Sequence, residues 1–324
     1  MATLRELRDR IRSVNSTKKI TKAQELIATS QITKAQQRVQ AAKPYADEIQ
    51  DVMERLAAAT TLDHPMLRER ANGRVAAILV VTSDRGMAGG YNHNVLKKTA
   101  ELEKMLIQAG YEVVRYVTGG KGVTHFRFRE MDVAGAWTGW SQKPTWEATH
   151  DVRHHLINGF LAGSEGEVEW REGLTGPEGQ AVRGFDQLHV VYTEFVSMLS
   201  QEARVQQVLP IEPVLHEIEY KQEDMLTTDA NVQPDMEFEP DPDTLMADLL
   251  PAYVSRYLYS LFMESSASES ASRRTAMKNA TDNATDLANN LSREANQARQ
   301  AKITQEITEI IGGAGALSGS GESD

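Results

Sequence analysis

Cysteine is absent from all 324 residues. That absence removes disulfide frameworks, thiolate zinc sites, cysteine nucleophiles and thiol switches together. Aromatic residues make up only 6%, which leaves little to fill a large core. No apolar run approaches the roughly 18–20 residues needed to cross a bilayer; the best is Val75–Val81. The first residues, MATLRELRDRI, lack both the apolar core of a signal peptide and the acid-free, Ser-rich make-up of a transit peptide. The expectation is a soluble chain from a reducing compartment. Its mean hydropathy of −0.45 is rather polar for a compact body of 36.0 kDa and points to long solvated helices. A chain of this length allows two ordinary domains, or one domain with something elongated attached.

The net charge of −11 hides an asymmetry. Residues 1–40 carry nine Lys/Arg against three Asp/Glu, whereas residues 211–248 hold twelve acids and one Lys. A basic arm suits an anionic partner: nucleic acid, acidic lipid or acidic protein loops. The acidic remainder and the lack of interleaved aromatics disfavour nucleic acid.

The strongest periodic signal is N-terminal. Leu4, Leu7, Ile11, Val14, Lys18, Thr21, Glu25, Ala28, Ile32, Ala35, Val39, Ala42, Ala46, Ile49, Met53 and Leu56 follow an unbroken 3-4 spacing, and thirteen of the sixteen are apolar. Sustained heptad register means coiled coil, because the helix of a globular domain drifts off a 3.5 period. Thr3 with Glu6 forms a capping box, and Pro44 is expected to loosen or kink the helix. At ~1.5 Å per residue the seam runs about 80 Å. C-terminally, Met277, Ala280, Ala284, Leu287, Leu291, Glu294, Ala298 and Ala301 repeat the spacing, and Ile303, Ile307, Ile310 and Ala314 continue on a rotated face. Asp241-Pro242 reads as an N-cap with Pro at the first helical position. Pro251 is a point where this helix could divide, and GGAGALSGSGESD is expected to end it.

The centre has a different texture. Strands are expected at Val75–Thr82, Glu112–Thr118, around Val133–Trp137, at Gln187–Phe195 and at Val205–Ile211. Helices are expected near His93–Ala109, Val123–Arg129 and Thr145–Leu161. This alternation predicts a small Rossmann-like α/β domain with a largely parallel sheet. The Gly- and Glu-rich segment Gly163–Gly184 reads as an inserted surface loop or a hairpin. The resulting division is residues 1–60 as the N-terminal coiled-coil helix and 73–215 as the α/β domain. Residues 216–241 form an acidic connector, and 242–324 the C-terminal helix and tail. Two long helices joined to one domain must run antiparallel.

Motifs for chemistry are weak. Ser83–Asn92, with glycines at 86, 89 and 90, follows a strand and precedes a helix but misses G-x-G-x-x-G. Thr118-Gly-Gly-Lys-Gly122 misses the P-loop pattern, so a tight turn is the better reading of both. His150, His154 and His155 share a helix without an H-E-x-x-H arrangement, and a solvated face is expected there. No nucleophile signature is present. No catalytic residue, metal ligand or cofactor site is therefore assigned, and an α/β enzyme with a coiled-coil dimerisation arm stands as the alternative. Lys18, Lys19 and Lys22 coincide with the polar break in the seam. Either this is a solvated stretch, or the helix leaves its partner and presents cations to another protein.

Three stretches carry a resemblance. Ile11–Ala23 (IRSVNSTKKITKA), Thr82–Asn92 (TSDRGMAGGYN), and Met277–Ala284 with Ala298–Ala314 together resemble, in order and nearly end to end, the gamma subunit of F-type ATP synthase. The resemblance implies a noncatalytic central rotor shaft. Its coiled coil would stand inside a hexamer of alpha and beta subunits, and its globular domain would rest on the c ring and hold epsilon. Partners would be alpha, beta, epsilon and the c ring, with no cofactor and no nucleic acid. The location would be the cytoplasmic face of the bacterial cell membrane, with membrane association only through the ring. It implies beta-subunit coupling contacts at Lys18, Lys19, Lys22, Gln24, Arg299, Gln300 and Thr304. It implies an epsilon- and ring-facing segment at Tyr192, Thr193, Glu194, Ser200, Gln201 and Glu202. Gln24 stands where the family usually has Met. The 163–184 insertion resembles an extra loop of actinobacterial gamma subunits, with the expectation that it lies near the ring or epsilon and biases the motor against ATP hydrolysis.

Overall fold

The computed structural model describes residues 3–59, 64–70, 73–168, 182–211 and 242–319, with side chains described except at 39–59, 182, 242–243 and 312–319. The chain divides into two compact units, Gln31–Ser272 and Met1–Ser30 with Arg273–Asp324. The acidic connector and most of the inserted loop lie outside the described residues.

The larger unit is built on a five-stranded sheet. Its strands are β1 (Val75–Val81), β2 (Glu112–Thr118), β3 (Gly135–Trp137), β6 (Gln187–Phe195) and β7 (Gln201–Leu209), in the order β3-β2-β1-β6-β7. The first four are parallel and β7 returns antiparallel along β6. Every residue of β1 is buried, as a central strand covered on both faces requires. The two-residue period of the strands sorts the core. Ala77, Leu79, Val81, Tyr116, Leu188 and Val190 pack with α4 (His150–Ala162) and with Leu250, Val254, Leu258 and Phe262 of α5 (Pro242–Gly319). Ala76, Ile78, Val80, Val117 and Val191 pack with α2 (Tyr91–Gln108) and Phe126 of α3 (Gly120–Phe128).

Several boundaries differ from those the sequence predicts. β7 begins at Gln201 rather than Val205, because an edge strand half in solvent carries polar residues that hide its period. α3 begins at Gly120, three residues early, on a turn that Gly119 makes at φ 92°. α4 begins at His150 rather than Thr145. The base of the insertion is a hairpin, β4 (Glu167–Val168) pairing antiparallel with β5 (Val182–Arg183). Asp186 ties this base to the sheet. Its carboxylate accepts N–H groups from Arg74 (2.9 Å), Val75 (3.1 Å) and Ser164 (3.1 Å) and pairs with Arg70 at 3.2 Å. Burial alone would raise its pKa. The backbone donors and Arg70 outweigh that and hold it below the usual value.

The smaller unit pairs the first part of α1 (Leu4–Ala59) with the last part of α5. Leu7 clusters with Leu291 and Ala295, and Thr21 bonds to Thr281, so the two segments run antiparallel as expected. The capping box is present: Glu6 N–H donates to Thr3 Oγ1 at 3.3 Å and Thr3 N–H to Glu6 Oε2 at 3.0 Å. α1 continues through Pro44 and α5 through Pro251, so neither proline ends its helix. α5 also continues to Gly319, past the Gly312 at which the sequence predicts its end.

The α5 seam is corrected by the structure. Met277, Thr281, Ala284, Ala288, Leu291 and Ala295 are buried, whereas Leu287 is 46% exposed and Glu294 is exposed. The heptad reading shares 277, 284, 291 and 298 with the observed seam. It selects the wrong neighbour at 280, 287 and 294, where the helix turns toward 281, 288 and 295.

Candidate functional site

The first place to look for a ligand in an open α/β sheet is outside the carboxyl ends of the strands, where strand order reverses. Here that point lies between β1 and β6, and at the neighbouring carboxyl ends of β1, β2 and β3 the chain pairs its own groups with one another. Three N–H groups at the start of α3 would be an anion site. Gly120 N–H donates to Asp84 Oδ1 (3.0 Å), Lys121 N–H to the Ser83 carbonyl (2.9 Å) and Gly122 N–H to Thr82 Oγ1 (2.9 Å). Asp84 Oδ2 accepts Ser141 N–H at 2.9 Å, and Asn92 Oδ1 accepts Ser83 N–H at 2.9 Å. A carboxylate stands where a phosphate would stand. The tight-turn reading of both glycine-rich loops holds.

Helix α5 closes the remaining crevice. Ser272 Oγ donates to the Ala88 carbonyl (2.7 Å) after β1, and Ser266 Oγ to the Gln142 carbonyl (2.9 Å) after β3. Phe195 N–H, at the end of β6, donates to Glu264 Oε1 (3.3 Å). Tyr91 Oη donates to the Ser265 carbonyl at 3.4 Å. Ser265, Ser266, Ser268, Glu269 and Ser270 are all buried. Burial, and then the nearby Glu194, raise the pKa of Glu264.

The histidines make no metal centre, and no cluster of metal-ligating side chains occurs among the described residues. His150 and His154 stack on the surface, but His155 is buried against Tyr116 and Trp137, so the expected solvated face is only partly right. Arg153 is likewise buried, stacked 3.5 Å above Trp146 and hydrogen-bonded to Ser255 and the Trp146 carbonyl. Burial lowers its pKa to about 10.

The implied contact residues fall in separate places. In the smaller unit Lys19 and Lys22 are exposed, Lys18 and Gln24 half-buried, and Lys22 pairs with Glu25 at 3.0 Å. The seam does not open at this polar break. Thr21 is buried and lies 2.7 Å from Thr281 Oγ1, so the helix does not leave its partner here, while Lys19 and Lys22 beside it stay exposed to solvent. Ile20, Leu26 and Ile27 are exposed beside the lysines; heptad analysis passes over them because they lie off the seam. Arg299, Gln300 and Thr304 are exposed, beyond Ala298, the last α5 residue packed in the Leu4–Val14 cluster. At ~1.5 Å per residue Arg299 stands about 27 Å, and Thr304 about 35 Å, along α5 from Thr281. The structure thus does not bring the two sets together.

In the larger unit, Tyr192 and Thr193 are buried, Glu194 and Gln201 half-buried, and Ser200 and Glu202 exposed. Arg204 bridges Glu194 (2.6 Å) and Glu202 (3.6 Å) across the β6–β7 hairpin. The exposed apolar residues of the segment are Val196 and Leu199 at the hairpin tip, the latter 83% exposed. An apolar pair in a short turn was the available signal for them.

These features define a class: an α/β body whose ligand crevice is closed from within, in a chain that also carries an antiparallel two-helix seam. A family model described as ATP synthase matches residues 3–317. A Corynebacterium glutamicum protein described as ATP synthase gamma chain is 72% identical over the full length of both chains. One from Saccharopolyspora erythraea is 52% identical over 99% of each. A chain of the Euglena gracilis mitochondrial ATP synthase rotor shares the fold at TM-score 0.57 and 16% identity, covering 93% of this chain and 98% of that one. The chain belongs to the ATP synthase gamma chain family.

Proposed function

We propose that the chain is the noncatalytic central shaft of a proton-translocating ATP synthase, coupling rotation of a c ring to conformational cycling of catalytic beta subunits. The observation that carries this reading is full-length identity of 72% to an ATP synthase gamma chain. The filled crevice supports the noncatalytic role, because Asp84 and α5 occupy the ground a nucleotide would need. The antiparallel seam gives a stiff element, and the exposed Lys19, Lys22, Arg299, Gln300 and Thr304 can meet acidic beta loops. The exposed Val196, Leu199, Ser200 and Glu202 support a hairpin-tip contact with epsilon or the c ring. No described helix is long and apolar enough to cross a membrane. Attachment to the cytoplasmic face of the cell membrane then runs through the ring.

Co-expression with alpha and beta subunits tests the reading. The expected product is an ATP-hydrolysing complex whose assembly depends on this chain; a fully active complex lacking it would refute the proposal. Deleting 166–182 tests the insertion separately. Faster ATP hydrolysis is expected, and unchanged synthesis and hydrolysis rates would make the loop inert.

A further inference from the structure

We propose that Arg70 aims the inserted segment: its guanidinium grips the chain on both sides of the insertion and fixes the direction in which the β4–β5 hairpin leaves the body. Nη2 donates to the carbonyls of Phe160 (2.7 Å) and Leu161 (3.2 Å), at the end of α4 where the chain departs. Nη1 donates to the Phe185 carbonyl (3.3 Å) and to Asp186 Oδ1 (3.2 Å), where the chain returns. Capping α4 would need only the first two acceptors. Holding all four takes a planar fork of donors, which a lysine ammonium does not have.

The other contacts at this root are of two kinds. The β4–β5 pairing, Gly184 N–H to the Gly166 carbonyl (2.9 Å) and Arg183 Nε to the Ser164 carbonyl (2.7 Å) join the two legs to each other, so they turn with the hairpin. Ties to the body are fewer. Arg183 also pairs with Glu112, but both side chains are more than half exposed, and such pairs contribute little. Phe185 N–H donates to the Gly159 carbonyl at 3.1 Å. The stronger tie is the buried Asp186, whose carboxylate takes Ser164 N–H from the outgoing leg and the N–H groups of Arg74 and Val75 at the start of β1. Arg70 grips that same carboxylate and adds the three carbonyls, and hydrogen bonds from a charged donor are the strong ones. The fit is close. Gly163 sits at φ 70°, and a Cβ there would lie 2.3 Å from Arg70 Nη1. The functional consequence of the aim rests on the reading above, that the insertion biases the motor against hydrolysis.

The chain lacks native cysteine, so Glu167→Cys on β4 and Lys104→Cys on α2, both exposed, take spin labels at those two points alone. Pulsed electron resonance on the full chain should give one narrow distance distribution. Arg70→Lys keeps a cation beside Asp186 and loses the fork. The distribution should then widen about twofold, as a segment does when the contacts holding it are lost. Gly163→Ala, which crowds Nη1 from the other side, should widen it likewise. An unchanged distribution in both variants, or a broad one in the unmodified chain, would overturn the proposal. In the assembled alpha–beta–gamma complex, Arg70→Lys should speed ATP hydrolysis as deletion of 166–182 does, and should add nothing once 166–182 is deleted. An equal rise in the deletion background would place its action in the body and refute the aiming role. Widening in Arg70→Lys, with hydrolysis indifferent to the deletion, upholds the aim and refutes the biasing reading.

Discussion

Asp84 caps the helix that begins at Gly120: its Oδ1 accepts the Gly120 N–H at 3.0 Å from 36 residues away in the chain. The same carboxylate takes Ser141 N–H through Oδ2. One acidic side chain thus ties together the loops after β1, β2 and β3 and puts negative charge where a phosphate-binding loop presents bare donors. Asp84→Ala should cost about 1–2 kcal/mol, as the loss of a helix cap does, read as a lower urea midpoint. Equilibrium dialysis of the unmodified chain should show no stoichiometric ATP.

Gly119 is needed at the same junction. It sits at φ 92°, and an added Cβ would lie 2.1 Å from the Thr82 carbonyl oxygen. Both effects act on backbone, which has little freedom to move. Gly119→Ala should cost about 3 kcal/mol or more. Denaturant titration, with Gly139→Ala as a control that meets no neighbour within 4 Å, separates the steric clash from the strain of positive φ.

The observed seam separates two leucines that the heptad pattern treats alike. Leu291 is buried and Leu287 nearly half exposed. Leu291→Ala should destabilise the paired helices by about 3 kcal/mol, and Leu287→Ala by less than about 1 kcal/mol. Thermal unfolding followed by helical circular dichroism distinguishes them. Equal losses would restore the heptad reading.

His189 gives the larger unit an acid sensitivity. Burial lowers its pKa from 6.5 to about 4, and its Nε2 lies 3.1 Å from Gln187 Oε1. The folded state therefore resists protonation that the unfolded state accepts. The stabilisation is complete above pH 6.5 and is lost as the pH falls toward 4, by about 1.4 kcal/mol per pH unit. Stability measured from pH 7 to pH 4.5 should decline more steeply in the unmodified chain than in His189→Gln.

Legibility in the sequence followed physical cause. β1, β2 and β6 were readable because strands buried on a sheet face form apolar runs, and the Glu112–Thr118 and Gln187–Phe195 bounds match residue for residue. β7 was shortened because its outer half meets solvent. The 3-4 repeat found both long helices, but where both neighbours can be buried, as at Ala280–Thr281 and Leu287–Ala288, the repeat does not say which of the two turns inward. The hub at Asp186 and the cap at Asp84 were invisible for another reason: each joins residues far apart in the chain, and an acid in a loop looks the same whether it caps a helix or faces water. The family was legible from motifs, and the closed crevice only from coordinates.

Rotation itself is the most direct test. Met105 on α2 is 57% exposed, and in a chain without cysteine Met105→Cys gives a unique point for attaching a bead. With the alpha–beta hexamer fixed to a surface and ATP supplied, the shaft reading predicts that the bead turns in one direction while ATP is hydrolysed. Sustained hydrolysis by the same complexes with the bead stationary would contradict it.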